Sequence, residues 1–142
     1  MDIIEPTYID ITPVDLWRLG TKNSPRLDKP RVPPRPGTVD IQTFSSGAET
    51  WVKAGTSGIS TFDKINLRLN GDQWWKIPAG TKIPLGLKVT RNHTDKILGV
   101  THYRIEPSHD MPLVQFISLL TKLTADAKSA YTGNAFNKKV TS

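Results

Sequence analysis

Between Ile77 and Leu123 the chain lays down two alternating segments and then a helical stripe, and this order constrains its fold more than any other feature. Pro78-Ala79-Gly80-Thr81 reads as a turn, Leu85 to Arg91 alternates as LGLKVTR, Asn92 to Asp95 turns again, and Ile97 to Ile105 forms the next strand. Strand alternation puts Leu98, Val100, His102 and Arg104 on one face and Ile97, Gly99, Thr101, Tyr103 and Ile105 on the other. Leu113, Phe116, Ile117, Leu120 and Leu123 then recur at helical spacing, which is core packing rather than a cofactor box. Asp110 stands where it would cap that helix, with Pro112 in the first turn. The expected result is a pair of strands delivering His102-Tyr103 to a defined place, with a helix packed over their apolar face.

Upstream segments are expected to supply the rest of a pocket. Tyr8 to Leu19 (YIDITPVDLWRL) reads as a first strand that Pro13 confines to an edge or splits, with Val14, Leu16 and Trp17 as candidate core. Arg18 sits at its end, where the simplest reading is a solvated charge. Residues 24–37 (SPRLDKPRVPPRPG) hold Pro25, Pro30, Pro33, Pro34 and Pro36, so they form an extended connector that is neither helix nor central strand. Its P-x-x-P spacing suits an aromatic groove of the SH3 kind. A stiff loop bordering a cleft is the simpler reading, and from it Arg35 could reach a phosphate.

Strands are expected around Val39 to Phe44 and Thr50 to Lys53. GTSGISTFDKI follows, with glycines and hydroxyls that suit a ribose or phosphate but without the Gly-Lys-Ser/Thr of a P-loop. The simpler reading is that Ser60 or Thr61 caps a short helix there, which is compatible with a ligand site. After the Asn70-Gly71-Asp72 turn, Trp74 and Trp75 point to opposite faces of a strand, one into the core and the other free to line a cleft.

Composition narrows the function classes. The 142 residues suit one domain over 1–142, with 25–37 as its Pro-rich connector and 129–142 as a polar tail; both termini should fray. The formal charge of +6, from 19 Lys and Arg against 13 Asp and Glu, attracts phosphate-bearing ligands. Apart from Arg26, Lys29, Arg31 and Arg35 and the Lys138-Lys139 pair, the basic residues are scattered, unlike a nucleic-acid reader. With no cysteine and no zinc spacing among His93, His102 and His109, no metal is expected. The acidic start MDIIEPTYID lacks a long apolar run, so no signal peptide or membrane span is read; export from the producing cell would need other machinery.

The ordered pieces IPAGTKIPLGLKV and THYRIEP, preceded by Trp17-Arg18 and Gly58-Ile59-Ser60-Thr61-Phe62-Asp63, resemble the small type VI secretion effector toxins with a mono-ADP-ribosyltransferase-like fold. The resemblance is strongest over residues 58–120. It implies an α+β domain with a split, mainly antiparallel β core that grips NAD as co-substrate, without a metal, and with the amphipathic helix at its C-terminal side. It also implies secretion without a signal peptide, action in the target cell's cytoplasm, a cognate immunity protein, a secretion-apparatus partner, an acceptor macromolecule and no membrane partner.

Carried over by position, Arg18 matches the Arg that holds a cofactor phosphate or ribose, a task suited to its fixed fork of donors. Ser60 falls on the family's serine, although Ile59 replaces its threonine and Gly55-Thr56-Ser57 offers a second register. Cofactor binding is thereby assigned to Arg18, Ser60, Thr61, Phe62 and Tyr103, with Phe62, Tyr103 or a tryptophan stacking on a base. His102 falls on the family's His, to bond the ribose or orient an acid; its simpler reading is a satisfied core histidine. Glu106 is the nearest carboxylate to stabilise positive charge on the ribose as nicotinamide leaves, or else a strand-end surface acid. The expected activity is transfer of ADP-ribose to a macromolecule or hydrolysis of NAD. The rivals are a non-enzymatic binding domain on a degenerate transferase fold and a basic RNA-binding module.

Overall fold

The computed structural model describes residues 6–69, 71 and 73–130. The frayed ends expected before Pro6 and after Ala130, Lys138-Lys139 among them, lie outside the described residues, as do Asn70 and Asp72 of the expected turn. The elements, in chain order, are β1 (Thr7–Tyr8), β2 (Leu16–Leu19), β3 (Thr43–Ser46), β4 (Glu49–Val52), β5 (Ile59–Phe62), β6 (Trp74–Ile77), β7 (Leu87–Asp95), β8 (Val100–Pro107), β9 (Met111–Pro112), α1 (Leu113–Thr124) and β10 (Lys128–Ser129). Among the described residues, seven strands form one sheet in the order β1-β7-β8-β5-β2-β6-β10, and β3-β4-β9 form a second; every pairing there is antiparallel. This is the mainly antiparallel α+β architecture implied by the resemblance.

The large sheet folds because its central strands offer one apolar row to the helix. Val89, Ile105 and Ile59 stand opposite one another on β7, β8 and β5, and all three are fully buried. Phe116, Leu119, Leu120 and Leu123 of α1 join Leu16, Ile77, Leu87 and Tyr103 in the same core. Burying such side chains contributes roughly 1.5–3 kcal/mol each against leaving them in water.

Some local expectations shift, each for a physical reason. Pro13 does split the first strand, into β1 and β2. Pairing of β8 starts at Val100 rather than Ile97, because Asp95 closes a turn by accepting the Ile97 and Leu98 amide hydrogens at 3.0 and 3.1 Å. Asp110 does not cap α1: the helix opens at Pro112 without a side-chain cap, and Asp110 instead accepts the Ala54 N–H at 2.8 Å, tying the end of β4 to the helix entry. No helix opens at Ser60 or Thr61, since both lie on β5 between β8 and β2. Trp74 is core, whereas Trp75 is half-buried and donates its indole N–H to the Thr21 carbonyl at 2.8 Å. Ser129, expected to begin the polar tail, instead pairs with Trp75 through β10.

Gly58 shows how tightly β5 enters the sheet. A Cβ at this position would lie 2.4 Å from the Ile105 carbonyl oxygen and 2.9 Å from the Glu106 Cβ, so only glycine fits where the chain crosses β8.

Candidate active site

The site lies at the β2–β5 junction of the large sheet, where a single residue pair joins the two strands. β2 and β5 are in register at the pair Trp17–Phe62. One residue along, the Arg18 side chain bridges the gap, its Nη1 donating to the Ser60 carbonyl at 2.8 Å and its Nη2 to the Arg26 carbonyl at 3.3 Å. Arg18 is therefore not a solvated strand-end charge. Burial pulls its pKa below the ordinary guanidinium value, with Arg31 and Arg26 acting in the same direction and Asp40 opposing them. Its Nε is buried and has no hydrogen-bond partner among the described residues.

A cavity of about 570 Å³ opens beside Arg18, lined further by Leu19, Gly20, Arg26, Lys29, Arg31, Arg35, Ser60, Phe62 and Leu69. Its most charged wall is the Pro-rich connector. Arg26 adopts the left-handed conformation at φ 59°, rare for a residue with a side chain, and is held there by the Ser24 hydroxyl accepting its N–H at 3.0 Å and by Arg18 on its carbonyl. Buried Asp40 anchors the middle of the connector. It accepts the Arg31 backbone N–H at 2.7 Å and the guanidinium Nη2–H at 2.9 Å, and this bonding raises the Arg31 pKa. The connector thus presents four cations with no carboxylate among the lining residues.

Behind Ser60 stands His102, half-buried on β8 opposite Phe62. Its Nε2 is 3.0 Å from Ser60 Oγ and its Nδ1 3.0 Å from Asn92 Nδ2, and the Phe62 and His93 rings lie 5.3 and 5.7 Å from its own. Arg18, Ser60, Phe62 and His102 are therefore brought together, the first three lining the cavity. Thr61, Tyr103 and Glu106 are not among the lining residues. Thr61 is fully buried and donates its hydroxyl to the Tyr103 carbonyl at 3.1 Å, and the Tyr103 ring lies in the core, where burial raises its phenol pKa. Glu106 is 3% exposed and held between Arg104 Nε at 3.2 Å and Lys88 Nζ at 3.9 Å. It is neither a surface acid nor a carboxylate at the cavity.

For the second register of the hydroxyl motif, Thr56 closes a turn, donating to the Lys53 carbonyl at 2.7 Å and accepting the Gln42 N–H at 3.1 Å, away from Arg18 and His102. Arg26, Lys29 and Arg31 were visible in the sequence as a basic cluster, and Arg35 as a phosphate candidate; that they face Arg18 across one cavity was not. The turn expected over Asn92 to Asp95 is instead the end of β7, which carries Asn92 to the His102 ring. Among the described residues no group of His, Asp or Glu is arranged to hold a metal ion, and no helix is long and apolar enough to cross a membrane.

The antiparallel sheets packed with one helix, with an arginine and a Ser–His pair on adjoining strands, are consistent with an ADP-ribosyltransferase-like α+β fold. The family model of the Tse2 ADP-ribosyltransferase toxins matches residues 14–135, and the chain belongs to that family. Toxin Tse2 of Pseudomonas aeruginosa is 33% identical over 87 residues, covering 61% of this chain; the match spans about half, 54%, of that relative's length.

Proposed function

We propose that this chain is an antibacterial toxin that cleaves NAD at the nicotinamide–ribose bond and passes ADP-ribose to an acceptor macromolecule or to water. The observation that carries this reading is the half-buried Arg18 at the β2–β5 junction, lining one cavity together with Ser60, Phe62 and the further cations Arg26, Lys29, Arg31 and Arg35. Arg18 and the connector cations would hold the pyrophosphate, Ser60 and His102 the ribose, and Phe62 would offer its ring to a base. Fixed donors around the dinucleotide hold the sugar in place while positive charge develops on it. Glu106, clamped by Arg104 and Lys88, supports the β7–β8 pair in this reading rather than touching the ribose.

Family membership supports a type VI effector. We extend this to export without a signal peptide, action in the recipient's cytoplasm, a secretion-apparatus partner and neutralisation by an immunity protein. The test is induced expression in a bacterial cytoplasm, with the native chain compared with Ser60→Ala and His102→Ala while NAD and ADP-ribosylated macromolecules are followed. Growth arrest with NAD loss or new modification, abolished in folded variants, is the expected result. The carboxylate-free cavity lining favours a second reading, nucleotide binding without turnover; arrest with unchanged NAD and no modification would establish that one instead.

A further inference from the structure

The β7–β8 pairing carries one extra residue. Arg91 stands opposite Tyr103 and Thr94 opposite Thr101, so Asn92 and His93 on β7 together face the single residue His102. This is the count of a β-bulge, a device that re-aims a side chain without ending the strand. Here it brings the Asn92 amide nitrogen to His102 Nδ1 at 3.0 Å, while His102 Nε2 meets Ser60 Oγ at the same distance.

An amide NH₂ can only donate. Facing it, Nδ1 must offer its lone pair, and the ring proton of a neutral imidazole then sits on Nε2. From there it is donated to Ser60 Oγ, whose own O–H hydrogen is left unengaged by His102. The opposite tautomer and the imidazolium would both place Nδ1–H against the amide N–H, two donors in contact.

We propose that Asn92 is a positioning residue: it holds His102 as the neutral Nε2–H tautomer, so that Ser60 serves as a hydrogen-bond donor to a ligand oxygen in the cavity and not as a nucleophile activated by His102. This role toward the ligand rests on the NAD reading above; the tautomer does not. The amide sets the ring proton, the ring proton sets the direction of the serine hydroxyl, and the hydroxyl faces the bound sugar.

Long-range 1H–15N correlation on histidine-labelled protein tests it by reporting which ring nitrogen of His102 is protonated. In the native chain the expected pattern is Nε2–H with bare Nδ1. In Asn92→Asp, where a carboxylate accepts in place of the donor, Nδ1 should become protonated. NAD affinity, measured by calorimetry on the same samples, should fall about tenfold, or about 1.4 kcal/mol, the scale of one hydrogen bond. Asn92→Gln, which keeps the amide, should restore part of it. A native His102 protonated at Nδ1, or an unchanged tautomer in folded Asn92→Asp, would overturn the proposal, and the native spectrum alone decides if the variant does not fold. An Nε2–H ring in a chain that does not bind NAD would support the assignment to Asn92 while removing the NAD reading.

Discussion

At the scale of single residues, the site depends on side chains that do what their own strands cannot. Arg18 takes the Ser60 carbonyl where β2 and β5 part, and this requires a fork of donors rather than a charge alone. Arg18→Lys is therefore expected to lower NAD affinity about tenfold to a hundredfold, the range for charge-assisted bonds of about 1.5–3 kcal/mol. Calorimetry reads this directly, and unchanged affinity would remove Arg18 from the ligand site. Glu106 poses the opposite question, because its carboxylate is spent on Arg104 and Lys88. Glu106→Gln should lower thermal stability by about 1–3 kcal/mol yet leave NAD consumption in place. Loss of all NAD consumption in a folded Glu106→Gln protein would return Glu106 to the chemistry.

At the scale of elements, β5 and β7 are the strands the site leans on. Gly58 lets β5 start flush against β8, and a methyl there has backbone on its path. Gly58→Ala should destabilise the protein by about 1–3 kcal/mol, read as a lower denaturant midpoint, and should loosen Ser60 two residues on. The end of β7 is held by Asp95. Arg68, with help from the Leu98 and Ile97 amides, pulls its carboxyl down from 3.8 to about 2. A depressed carboxylate contributes stability that is complete above the unfolded value and lost as pH falls through the folded one. Asp95→Asn should thus melt earlier than the native chain at neutral pH, and the gap should close as pH is lowered through about 2. A pH-independent gap would mean that the carboxylate's charge is not what secures the turn.

At the scale of the whole molecule, the basic connector gives the cavity an electrostatic character that the scattered charges elsewhere do not. Exposed cations act over about 8 Å at physiological salt, so NAD affinity should fall by no more than about tenfold between low and physiological ionic strength. An RNA that bound the chain and lost affinity by orders of magnitude over the same range, without competition from NAD, would instead mark the protein as a polyanion-binding module.

The chain's local patterns determined a great deal. Alternation in LGLKVTR and in the segment around His102 located β7 and β8, prolines broke the first strand and stiffened the connector, and the 116–123 apolar stripe located the helix. These are periodicities of neighbours, and neighbours are what a linear pattern records. Tertiary structure alone decided which residues meet. Ser60 and His102 are distant in sequence yet share a hydrogen bond, because β5 and β8 pair in that register. Asn92 reaches His102 only through the extra residue in β7, and Asp110 bonds the end of β4 rather than capping its helix because the small sheet folds back there. Equally hidden was the placing of Arg18 and the connector's cations around one cavity. Each depends on long-range register and burial, which the covalent order of the chain encodes only through the fold.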